Sequence, residues 1–269
     1  MRHFLFCLSI VTLFYSCSDY GRIMKKGSKD EKLAAAKEYY AEEDCYRALP
    51  LFEDLIALVR GTQEAEEVYY YYAQTHYCIS DYYLANYYFK NFVKTYPKSK
   101  YAEECLFMAA MCSYRNSPKY SLDQQDTRTA INEFQLFMDR YPKSSLKDSC
   151  NNMIALLREK IERKSYEIAK LYAKTERYKS AVIALQKSLQ DFPDTEHREE
   201  MMFLMVKSSF LLAENSFEDK KLERYTETTK SYYNFVASYP ESKSLDEAER
   251  YFKNSLKEID RIKGNLVEE

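Results

Sequence analysis

The sequence predicts an all-α protein built from stacked helical hairpins, and three observations predict it. Gly (4) and Pro (6) are sparse in 269 residues, although strands and tight turns need both more often than this. Ala, Leu, Glu, Lys and Tyr are common, a composition that favours helix. One skeleton also recurs at five places in a single register: a small residue, then a large apolar or aromatic residue four positions on, then a helix stop twelve positions on.

The N-terminus stands apart from the repeats. Met1-Arg2-His3 is a short positive start, and residues 4–15 form an apolar run of signal-peptide length, too short to span a bilayer. The run ends in Ser16-Cys17. A small residue followed by Cys resembles a bacterial lipobox, in which Cys17 becomes the lipidated first residue of the mature protein. Residues 1–16 are therefore expected to be a lipoprotein signal peptide and 17–27 a lipidated polar tether. Ser18 after the cysteine fits an outer-membrane destination, and the periplasmic face is the expected side. No later apolar run reaches about 18–20 residues, so no transmembrane helix is expected. The net charge of −2 with mixed signs does not resemble a basic nucleic-acid footprint.

Ser28, with Glu31 three residues later, reads as a capping box that starts the first helix. The small positions of the second helices are Ala48, Ala85, Ala130, Ala181 and Thr228, followed at plus four by Phe52, Phe89, Phe134, Leu185 and Tyr232. The stops are Pro97, Pro142, Pro193 and Pro240, with Arg60-Gly61 in the first repeat. Twelve residues upstream, Ala36, Ala73 and Ala169 mark the first helices. This is the tetratricopeptide (TPR) pattern, so the expected fold is a TPR α-solenoid of five helix-turn-helix repeats. Small residues let two antiparallel helices approach, the plus-four side chain lies on the same face, and Pro cannot continue a helix.

Departures from the period place the irregular parts. Ala110 to Ala130 is 20 residues instead of 12, so a loop around Asn116-Ser117-Pro118 is expected inside repeat three. Between Pro142 and Ala169 the extra residues hold no Gly or Pro, and residues 145–175 read as one helix of about 45 Å. About ten extra residues near 214–219 suggest a second loop in repeat five. Ser244 to Lys263 reads as an amphipathic capping helix. The expected organisation is repeats one to three over 28–144, the long helix, repeats four and five and the cap over 145–263, and a tail at 264–269.

Chemistry is hard to find. His76 and His197 stand alone, and no nucleophile–base motif, phosphate loop or metal-ligand cluster is visible, so no enzyme is expected. No cofactor is expected beyond the lipid on Cys17. Glu66-Glu67, Glu103-Glu104 and Glu199-Glu200 begin first helices, where the dipole favours acids. Cys45, Cys78, Cys105, Cys112 and Cys150 lie among apolar neighbours and read as small core residues, with one disulfide left open.

Functional weight falls on tyrosine, with 27 Tyr and no Trp. TPR geometry places Leu33, Lys37 and Tyr40, then Tyr70, Gln74 and Tyr77, then Phe107, Met111 and Tyr114 along a groove. Tyr with Lys and Gln can pack on apolar side chains and hydrogen-bond a peptide backbone.

The signal, the tether, five repeats over about 230 residues and the words Tyr96-Pro97-Lys98-Ser99, Tyr141-Pro142-Lys143-Ser144 and Tyr239-Pro240-Glu241-Ser242 together resemble the BamD family. These are outer-membrane lipoproteins of the β-barrel assembly machinery. The resemblance implies a non-enzymatic scaffold whose N-terminal repeats receive unfolded outer-membrane protein precursors. It also implies C-terminal repeats that dock the POTRA region of a BamA-like partner. Phe192-Pro193-Asp194-Thr195 and then Arg198 match the partner-contacting region, with Arg198 as the charged anchor. Two other readings share the groove: a periplasmic TPR lipoprotein coordinating peptidoglycan or division proteins, and a glycan-capturing uptake lipoprotein, which would use the Trp this chain lacks.

Overall fold

The computed structural model describes residues 19–268. Cys17, the signal peptide and Glu269 lie outside the described residues. Among the described residues the chain is all helix and turn, with no strand. Residues 19–26 are helical (α1). They are followed by α2 (Lys29–Ala41), α3 (Cys45–Leu58), α4 (Ala65–Cys78), α5 (Tyr82–Thr95), α6 (Ala102–Asn116) and α7 (Gln125–Arg140). Then come α8 (Lys147–Lys174), α9 (Tyr178–Asp191), α10 (Arg198–Glu214), α11 (Glu218–Ser238) and α12 (Leu245–Glu268). Helices α2 to α11 follow the order of the five expected hairpins: α2 to α7 pack on their neighbours within the first unit, α9 to α12 within the second, and each part of α8 joins the core of its own unit.

The small positions govern the packing. Ala36, Ala48, Ala73, Ala85, Ala110, Ala130, Ala169, Ala181 and Thr228 are all completely buried. Phe52, Phe89, Phe134 and Leu185 at plus four are buried just as fully, while Tyr232 is only half-buried. Three positions further on, Leu55, Phe92, Phe137 and Phe235 complete the same buried face.

Two turn devices repeat. Where the small residues are twelve apart, the first helix ends on a left-handed residue: Glu43 (φ 61°), Ser80 (φ 64°) or Glu176 (φ 61°). In the hairpin of α4 and α5, Ser80 N–H donates to Tyr77 O and Asp81 N–H to His76 O, and Asp81 then caps α5. The second device is the Tyr-Pro-x-Ser word. Tyr96 N–H closes α5 on Phe92 O, Ser99 N–H donates to Tyr96 O, and the Ser99 hydroxyl accepts Tyr101 N–H. Ser144, Thr195 and Ser242 hold the corresponding amides at 3.1, 3.2 and 3.1 Å. A serine, or Thr195 in the fourth repeat, therefore starts each new turn after proline has ended the last helix. Gly61 (φ 82°) does this work where the first repeat lacks proline.

The described residues form two compact units, up to Leu157 and from Arg158, so the division falls inside α8 rather than at 144/145. With 28 residues α8 is about 42 Å long. Cys150, Ile154 and Leu157 belong to the core of the first unit, and Tyr166 and Ala169 to that of the second.

Three expectations are corrected. Residues 19–26 are helix, with Tyr20, Ile23 and Met24 packed on the first-repeat core, rather than a free tether. A Cβ on Gly27 would lie 2.5 Å from Ile23 O, so the junction to α2 requires glycine. The ten extra residues of repeat five do not make a loop. They lengthen α10 and α11 to 17 and 21 residues, with only 215–217 between them. Helix α12 also runs to Glu268, through most of the expected tail. The loop of repeat three is present at 117–124, where buried Gln124 donates to the carbonyls of Lys119 and Leu122 and accepts from Thr127.

The cysteines divide. Cys105, Cys112 and Cys150 are buried thiols, and burial pushes Cys112 up to about 12 and Cys150 to about 11. Cys45 and Cys78 instead form a disulfide across the first two repeats, at a sequence separation of 33. Closing a loop of that length stabilises by about 3–4 kcal/mol on the chain-entropy account.

If helix approach at the small positions sets the fold, Ala85→Leu will lower unfolding stability by about 1–3 kcal/mol. Urea denaturation reads this directly, and an unchanged midpoint would mean that α4 and α5 have room to spare.

Candidate functional site: a tyrosine-lined groove

The nine residues expected to line a groove lie on α2, α4 and α6, at positions −3, +1 and +4 from the buried alanines. All are half-buried except Gln74, which is buried. Leu33 packs on the first-repeat core. Lys37 pairs with Glu67 at 2.7 Å and sits 5.5 Å from the Tyr71 ring centroid. Tyr40 meets Tyr71 edge-on at 5.4 Å, and Tyr71 meets Tyr70 at 5.3 Å. Tyr70 stacks on Tyr101 at 4.1 Å, and its hydroxyl donates to Glu104 at 2.8 Å. Gln74 Nε2 donates to both Glu104 and the Tyr70 hydroxyl. Burial first, then the Glu104 hydrogen bond, holds the Tyr70 hydroxyl well above its ordinary value of 10.

The other three residues differ. Tyr77 accepts a hydrogen bond from Arg115 at 3.3 Å. Phe107 lies 5.6 Å from Phe137 and Tyr114 lies 6.4 Å from Phe134, so both lean on α7, and Met111 joins the same core. The structure thus links Lys37, Tyr40, Tyr70 and Gln74 in one row through Tyr71, Glu67 and Glu104, while Phe107, Met111 and Tyr114 form a separate apolar end.

Those linking acids have a second role. The residue just after the small position, 30 residues before an acid of the next repeat, reaches that acid each time: Lys37 to Glu67, Gln74 to Glu104, and Lys170 to Glu200 at 2.8 Å. Tyr70 and Tyr166 reach the same acids from 34 residues away, Tyr166 at 2.5 Å. In repeat five the spacing grows to 40, and Lys207 meets Glu247 at 3.2 Å. The acids at helix starts therefore clasp successive first helices together, beyond their effect on the helix dipole. An acid 30 residues downstream of the post-alanine position was the sequence signal for this.

Arg198 opens α10. Its guanidinium donates to Pro193 O at 3.0 Å, and no carboxylate of the described residues pairs with it. It lines a cleft of 720 Å³ with Leu189, Met202 and Met205. Among the described residues no group of acids, His or Cys could hold a metal ion, and no helix is long and apolar enough to cross a membrane.

Against known proteins, the family described as outer membrane lipoprotein (YfiO) matches residues 25–224. The outer membrane protein assembly factor BamD of Haemophilus influenzae is 22% identical, over 74% of this chain and 79% of that protein. The putative outer membrane protein assembly factor BamD of Aquifex aeolicus is 24% identical, over 96% of this chain and 85% of that protein.

In the clasp of the second unit, a double-mutant cycle on Tyr166→Phe and Glu200→Gln will give a coupling energy of about 1 kcal/mol. Additive effects in chemical denaturation would show that the two side chains stabilise independently.

Proposed function

The chain belongs to the outer membrane lipoprotein family YfiO, and on that basis we propose that it is a non-enzymatic scaffold of outer-membrane β-barrel assembly. Cys17 carries the lipid that anchors it to the periplasmic face of the outer membrane. Its N-terminal unit receives unfolded barrel precursors, and its C-terminal unit docks the POTRA region of a BamA-like protein.

The observation that carries the precursor role is the row from Lys37 to Tyr114 on α2, α4 and α6. The hydroxyls of Tyr40 and Tyr114 have no hydrogen-bond partner among the described residues, so they are open to the backbone of an extended peptide. The rings accept varied aromatic and aliphatic side chains, which suits a site that must take many precursors. Lys37 and Gln74 are held by Glu67 and Glu104. They therefore contribute mainly the shape of the groove, and Tyr40 and Tyr77 contribute contact. The partner role rests on Arg198, an unpaired cation at the edge of a Met- and Leu-lined cleft. An incoming carboxylate would find there both a charge-assisted partner and apolar surface.

Tyr40→Ala combined with Tyr77→Ala should weaken binding of a peptide bearing the C-terminal strand of a barrel protein by tenfold or more, roughly 1.4 kcal/mol. Unchanged affinity removes the groove assignment. Arg198→Glu should abolish co-purification of a POTRA-containing barrel in mild detergent, while the circular dichroism spectrum stays helical. Retained co-purification would move the docking surface elsewhere.

A further inference from the structure

A second aromatic cluster lies in the first unit where α3, α4 and α5 meet. A pocket of 430 Å³ there is walled by Tyr69, Tyr72, Tyr87, Tyr88 and Tyr96, with Glu53 and Asn91 also lining it. The rings stand at steep angles to one another: Tyr72 and Tyr88 are 4.6 Å apart at 62°, and Tyr87 and Tyr88 are 5.2 Å apart at 72°. Buried His76 backs two of these rings, stacking on Tyr88 at 5.0 Å and meeting Tyr72 edge-on at 4.7 Å.

The charge pattern is unusual for this chain. Elsewhere its tyrosines already hold its own cations: Lys37 lies over Tyr71, Arg47 over Tyr39, Lys100 over Tyr101 and Lys170 over Tyr166. No lysine or arginine of the described residues lies over any of the five pocket tyrosines, and none lines the pocket. Glu53 has no ion-pair or hydrogen-bond partner among the described residues, and neither does the amide of Asn91. The pocket therefore presents five tyrosine rings, one unpaired carboxylate and the unused amide of Asn91, with the Tyr72 hydroxyl donating to that of Tyr88 at 3.4 Å.

We propose that this pocket is a cation site that takes an arginine side chain from an extended segment of a partner polypeptide. Ring faces attract cations. A guanidinium is planar and stacks, and its N–H donors match the carboxylate of Glu53, the amide oxygen of Asn91 and the tyrosine hydroxyls. A quaternary ammonium would leave those acceptors unmet, and a neutral aromatic side chain would leave Glu53 unpaired. The site takes Tyr69 and Tyr72 from α4, the helix that also carries Tyr70, Gln74 and Tyr77, but it shares no residue with the groove and does not rest on that assignment.

The test uses the full chain with ring-labelled tyrosine, followed by NMR during titration with acetyl-Gly-Arg-Gly-amide. Acetyl-Gly-citrulline-Gly-amide, of nearly the same shape but neutral, and acetyl-Gly-Phe-Gly-amide serve as comparators. The arginine peptide should shift the ring signals of Tyr72, Tyr87 and Tyr88 saturably, and the citrulline peptide should not. Glu53→Gln, at an exposed position, should weaken the arginine peptide about tenfold, and Tyr87→Ala by a similar factor. Equal shifts from the citrulline or phenylalanine peptide would identify an apolar pocket and overturn the proposal. So would unchanged affinity in Glu53→Gln, or the absence of any shift.

Discussion

Everything in this protein depends on how closely two antiparallel helices can approach at the small positions. Nine such residues, from Ala36 to Thr228, show no exposed surface. A larger side chain at any of them would separate a hairpin, and the phenylalanines at plus four and plus seven would lose their contacts with it. Dispersion contacts decay steeply with distance, so a small separation would weaken a whole face at once. That is why the aromatic positions tolerate Phe, Leu or Tyr while the small positions tolerate little beyond Ala and Thr.

Directional bonds then set how one hairpin follows the next. The tyrosine-proline-x-serine word ends one helix and begins another within a few residues, and the Lys, Gln and Tyr clasps reach the acids of the following repeat. Most of these clasps are partly exposed, so each adds little stability by itself. They fix register instead: Lys37, Gln74 and Lys170 each meet the acid 30 residues on, the second of a Glu-Glu pair each time. Where that spacing changes, as at Lys207, the acid has moved with it to Glu247. The clasp fails only at Met111, next to the loop organised by Gln124, and there the first helix turns to apolar packing.

This division of labour shapes the surfaces available to partners. Side chains that clasp are already held, so along the proposed groove Tyr40 and Tyr114 keep free hydroxyls while Lys37, Tyr70 and Gln74 do not. Charges left over from clasping stand out by contrast. Arg198 beside its methionines and Glu53 among its tyrosines are opposite in sign and lie in different units. If both proposed sites are used, sites that differ this strongly in charge each disfavour the other's ligand.

The repeat register, the buried small residues, the loop of repeat three and the long helix were all legible in the amino-acid order. They follow from local periodicity and from proline and glycine chemistry, which act over a few residues. The same reasoning placed the groove tyrosines on α2, α4 and α6, because a helical face is set by spacing alone. It misplaced the extra residues of repeat five, since a sequence without breakers can lengthen a helix as easily as form a loop. It left one disulfide open without choosing Cys45 and Cys78, and it missed the packing of residues 19–26 on the first repeat, the use of Glu104 by Tyr70, and the pocket around Glu53. Each of these joins residues that are distant in sequence. Distance along the chain does not say which side chains meet, and only the stacked helices decided it.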